Sequence, residues 1–148
     1  MITIKNTQKT ISVDVDLLYK DTQKILDLLD YHDFDIGILL TTNKVMQKYN
    51  REYRDKDKPT DILSFPFHQI VAGERIIATS ADEKNLGDII IAPQYVMDDL
   101  ERWGQTFDQR MRILLVHGIC HLLGYDHIKD EDYTVMKAQE EWLLKQLN

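Results

Sequence analysis

The segment His117-Gly-Ile-Cys-His121-Leu-Leu-Gly124-Tyr-Asp126-His127 gathers three of the chain's five histidines into eleven residues. No other stretch restricts the fold as tightly. His117 and His121 are four apart, so on a helix both imidazoles leave the same face one turn apart. Gly124 can take the positive φ that stops a helix, and the reversal that follows allows His127 to swing back over that face. The segment therefore demands a helix, a glycine stop and a return.

The run before it supports the helix. Met111, Leu114, Leu115, Ile119 and Leu122 recur at three- and four-residue steps, and Thr106 and Gln109 have the spacing of a capping box. Three protein ligands with a fourth position left to water is the arrangement of a catalytic zinc rather than a closed structural one. The spacing H-x-x-x-H-x-x-G-x-x-H is that of the metzincin metalloproteases, with Gly118 standing where those enzymes carry their glutamate base. The pattern thus keeps a metal cage and lacks the residue that activates water for peptide attack, which argues for a hydrolase other than an ordinary protease. A glutamate introduced at 118 is expected to stand beside the metal and leave it bound. The rival reading is that the histidines merely satisfy hydrogen bonds within the helix and loop. Cys120, three residues from His117, is a further candidate ligand or a small buried hydrophobe.

At 148 residues the chain has the length of one domain, 1–148, with apolar content for a single core. One cysteine cannot form an intramolecular bridge, the N-terminus does not resemble a signal peptide, and no apolar run is long enough to cross a bilayer. These features lead us to expect a cytoplasmic protein with no membrane partner. The formal charge of −7 weighs against broad, non-specific nucleic-acid binding. Against that average stands the cluster Lys48, Arg51, Arg54, Lys56 and Lys58, which reads either as a phosphate-binding patch or as a solvated helix end balanced by Glu52, Asp55 and Asp57.

Along the chain, Ile2 and Ile4 alternate with Thr3 and Lys5 as a half-buried strand. An amphipathic helix is predicted from about Asp16 to near Asp30, with Leu18, Thr22, Ile25, Leu26 and Leu29 on one face. Phe34 to Leu40 alternates as a strand, and Thr42 or Asn43 caps a helix through about Tyr53 whose buried side would hold Val45, Met46, Tyr49 and Tyr53. Ile62 to Phe67 reads as a strand placed at a sheet edge by Pro66, which has no ladder donor. From about His68 to Asn85 a mobile hairpin or loop is expected, with a short strand at Arg75 to Thr79. Leu86 to Ala92 is an apolar strand, Pro93 opens a helix that should stop at Gly104, and after the histidine helix a last one starts near Asp130. The class is α+β: one domain, a mixed sheet of about four strands packed with about five helices, including the metzincin-like metal helix.

Taken together, Asn50-Arg-Glu-Tyr-Arg54-Asp-Lys-Asp-Lys-Pro-Thr60-Asp61-Ile-Leu-Ser64-Phe65-Pro66-Phe67, the strand entry Leu86-Gly87-Asp88-Ile89 and the His117–His127 motif resemble the YbeY family of bacterial endoribonucleases. The likeness runs from about Phe34 to the C-terminus. It implies one zinc per chain held by His117, His121 and His127. It implies a single-strand-specific endoribonuclease acting in ribosomal RNA maturation, at the 3′ end of the small-subunit RNA, and in ribosome quality control. Its partners would be single-stranded and ribosomal RNA and the ribosome or small-subunit proteins. Arg54 matches the family's arginine beside the metal, to which a catalytic role is assigned, while Cys120 stands where leucine is usual. If Arg54 faces the metal it can form a forked pair with the scissile phosphate, with Lys56 and Lys58 on flanking phosphates. Whether Asp126 orients a ligand, acts as a base or caps a turn stays open. Two rival functions are a ribosome-binding assembly factor with a mainly structural zinc and a divergent metalloprotease.

Overall fold

The computed structural model describes residues 1–148, and its chain runs β1 (Ile2–Asn6), α1 (Val15–Leu28), β2 (Asp35–Leu40), α2 (Asn43–Arg54), β3 (Ile62–Pro66), β4 (Asn85–Ile91), α3 (Pro93–Asp98), α4 (Leu100–Trp103), α5 (Phe107–Leu122) and α6 (Asp130–Leu147). A single 3-10 turn at Ala81–Glu83 precedes β4. The strands form one mixed sheet in the order β1-β2-β4-β3. β1, β2 and β4 are parallel, and β3 joins antiparallel along β4. Parallel neighbours need a crossover, and α1 supplies the one between β1 and β2.

Period-two alternation in β2 sends Ile36, Ile38 and Leu40 to one face, where all three are buried. Together with Leu86, Ile89 and Ile91 they meet α1, α5 and α6 across the main core. The opposite face is covered more sparsely: Met46 of α2 packs with Leu63, Ile90 and Ala92 in a smaller cluster. A partly buried guanidinium clamp ties α1 to α5, with Arg112 Nε and Nη2 donating to the two oxygens of Asp21 at 2.9 and 3.1 Å.

Pro66 does lie on an edge strand, paired with Gly87. Thr42 is the cap of α2, its hydroxyl accepting from the Val45 N–H. Three expectations need correction. The segment Arg75–Thr79 forms no strand. Its backbone turns to the loop after α1 instead: the Ile76 N–H donates to the Tyr31 hydroxyl, Ile76 is buried, and Arg75 lies over the Tyr31 ring. The helix opened by Pro93 breaks at Asp99, whose φ of −102° and ψ of 4° leave the helical range, so it is two short helices and the chain has six in all. On α2 only Met46 among the four expected apolar residues is fully buried, because the helix sits on the sparse face of the sheet; Tyr49 is half-buried, and Val45 and Tyr53 face solvent.

Candidate metal centre

Helix α5 places the first two histidines, and its start is fixed locally. The Thr106 hydroxyl accepts from the Gln109 N–H while the Gln109 side chain accepts from the Thr106 N–H, a complete capping box. Its end is set by Gly124 at φ +90°, where a Cβ would overlap the Ile70 carbonyl. The return brings the Tyr125 carbonyl to His121 Nδ1 at 2.9 Å. Asp126 caps the turn, its Oδ1 accepting from the N–H groups of His127 and Ile128.

His117, His121 and His127 converge so that one nitrogen from each lies within 4.8 Å of the others. The hydrogen bonds at the far side of two rings fix which nitrogen of each keeps its hydrogen when the ring is neutral. His117 Nδ1 is 3.0 Å from Glu140 Oε2, and His121 Nδ1 faces a carbonyl, so each Nδ1 must carry the hydrogen and donate it. With both rings neutral, the form that binds a metal, the two Nε2 atoms are lone pairs facing each other at 3.1 Å. Two such lone pairs repel unless a proton or a metal ion lies between them. Their separation is also close to the roughly 3.3 Å expected between two nitrogens each about 2.0–2.1 Å from a tetrahedral ion. The donor set therefore fits a metal. Burial and the neighbouring His117 hold His121 below the ordinary imidazole range, which keeps it neutral and able to ligate.

The cleft in front of the triad encloses about 590 Å³ and is lined by all three histidines, Arg54 and the β3 residues Ile62 to Pro66. Arg54, the last residue of α2, thus shares a cleft with histidines more than sixty positions later in the chain. Lys56 and Lys58 are exposed on the loop beyond it and do not line the cleft. That loop is tied back by Asn50, whose side-chain amide donates to the Lys58 carbonyl at 2.8 Å. Cys120 is no ligand here: it is fully buried in the main core, and burial, with Glu140 adding to it, pushes its thiol up to about 12.

Sequence reading missed Glu140. Its signal was present, since Met136, Glu140 and Leu143 share one face of α6 and a carboxylate on an apolar helix face calls for a partner.

The chain is similar to known proteins in sequence and in fold. Residues 3–148 match the family described as Endoribonuclease YbeY. The chain is 36% identical over 149 residues to an Endoribonuclease YbeY of Carboxydothermus hydrogenoformans, covering 99% of this chain and 97% of that protein. A human protein of the same name is 33% identical over 147 residues, covering 99% and 87%. A solution structure from Thermotoga maritima superposes with a TM-score of 0.60 over 99% of this chain and 91% of its own, at 23% identity, a likeness of fold.

Proposed function

The chain belongs to the YbeY endoribonuclease family, and from that premise we propose that it hydrolyses phosphodiester bonds of single-stranded RNA with one zinc held by His117, His121 and His127. One observation carries the reading: two inward-facing Nε2 lone pairs 3.1 Å apart, in a cleft that Arg54 also lines. A zinc bound there would supply a Lewis acid and a water of lowered pKa. The chain's own residues do the rest. Glu140 and the Tyr125 carbonyl hold the Nδ1 protons of His117 and His121, so the Nε2 atoms stay free to ligate. Arg54 pairs with the scissile phosphate and stabilises the charge that builds on it in the transition state. Lys56 and Lys58, exposed beside it, hold flanking phosphates as the RNA leaves the cleft. The substrate is ribosomal RNA, cut in maturation of the small-subunit 3′ end and in ribosome quality control, with the ribosome or small-subunit proteins as partners in the cytoplasm. No helix is long and apolar enough to cross a membrane.

The test is a cleavage assay on purified protein with single-stranded RNA, duplex RNA and a peptide library, with chelator and with zinc restored. Single-stranded RNA should be cut, chelator should stop the reaction, and zinc should recover it. Peptide cleavage with the RNA left whole would overturn the assignment in favour of a protease.

A further inference from the structure

Beside the metal cleft lies a second groove of about 440 Å³, within the roughly 300–1,000 Å³ of small-ligand sites. Tyr49, Tyr53 and Phe65 line it, with Leu39 and Ile90 of the sparsely covered sheet face behind them. The three rings form one built surface. Tyr49 and Tyr53 stack with centroids 6.1 Å apart and planes 17° apart, while Tyr53 and Phe65 meet at 5.2 Å and 70°. Tyr53 and Phe65 thus make a corner, one ring face against one ring edge. Tyr49 is half-buried and serves to seat α2 on the sheet, but Tyr53 is 64% exposed and secures little packing. A large aromatic left this open on the wall of a groove is an informative exposure.

Two features identify what the corner takes. Tyr53 and Phe65 line the metal cleft as well as this groove, so the two are continuous. Tyr53 and Arg54 also line the same metal cleft, so a nucleotide whose phosphate Arg54 holds has its base within reach of the Tyr53 ring. Every nucleobase has a π face, and unpaired bases are bound on aromatic side chains, whereas a base inside a duplex has both faces covered. We infer that Tyr53 and Phe65 form a base-stacking subsite that receives one unpaired nucleobase next to the phosphate being cut. This rests on the nuclease reading above and adds to it the physical basis for choosing single strands.

The experiment combines a Tyr53 series with an abasic scan. Tyr53 is exposed, so Tyr53→Ala should fold and keep its zinc, as melting temperature and elemental analysis would confirm. Its KM for single-stranded RNA should rise about 5- to 150-fold, the range for loss of one base–aromatic stack. Tyr53→Phe, which keeps the ring, should restore it. In the parent protein, one abasic position next to the cleaved phosphate should produce the same loss, and that substrate should lose nothing more when cut by Tyr53→Ala. If the parent cuts RNA but Tyr53→Ala matches it, or no abasic position couples to Tyr53, the subsite is wrong while the nuclease stands. A parent that leaves all RNA intact overturns both.

Discussion

Glu140 acts on the site without entering the cleft. By holding the Nδ1 hydrogen of His117 at 3.0 Å it fixes the tautomer and the orientation of the ligating ring. Glu140→Gln keeps an oxygen in place and loses the charge, so zinc affinity measured by chelator competition should fall about 10- to 100-fold with the melting temperature of the zinc-free protein little changed. An unchanged affinity would reduce Glu140 to a packing residue. Arg54 predicts the opposite pattern. It is exposed at the end of α2, so Arg54→Ala should leave folding and zinc content intact and slow RNA cleavage about a hundredfold, the scale of one lost transition-state contact. Cleavage at the parent rate would return Arg54 to the solvated helix end.

At the scale of elements, the approach of α5 to β3 decides what the histidine helix can carry. A Cβ at Gly118 would come 2.9 Å from Ile62 Cδ1, 3.0 Å from Ile89 Cδ1 and 3.3 Å from Ser64 Oγ, so the position points into the sheet beneath the cleft. A glutamate expected to stand beside the metal from position 118 must first displace the ends of Ile62 and Ile89. Gly118→Ala asks only that the ends of two isoleucines give way, at about 1–3 kcal/mol. Gly118→Glu would bury a carboxylate between helix and sheet, several kcal/mol against a total stability of about 5–15 kcal/mol. Circular dichroism and gel filtration should find the alanine variant folded and the glutamate variant largely unfolded. A folded, zinc-loaded Gly118→Glu would mean that α5 stands further from β3 than the structure places it.

Across the whole molecule, the formal charge of −7 coexists with a local cationic edge at the end of α2. Arg51 is engaged with Asp57 at 3.4 Å, and of the other four cations in the cluster Arg54, Lys56 and Lys58 are the three assigned to phosphates. Each phosphate contact on a single strand contributes about −0.7 to the slope of log K against log salt, so three predict a slope of about −2. Cleavage titrated at several salt concentrations checks this, and a slope near zero would remove the lysines from the RNA path. Much of this protein was legible in its residues. The paired histidines, the Thr106–Gln109 box, the glycine stop at 124 and the β2 alternation are set by spacing along a single element, where covalent connectivity already fixes which side chains share a face. The short strand at Arg75–Thr79 was misread because weak periodicity cannot reveal that the Tyr31 hydroxyl, 45 residues earlier, captures the Ile76 N–H. The same limit hid Glu140 beside His117, 23 residues away, the crowding of Gly118 against β3, the aromatic corner of Tyr53 and Phe65, and the strand order β1-β2-β4-β3. Each of these joins side chains from separate elements, and only the packing of the sheet and its helices brings such groups within reach of one another.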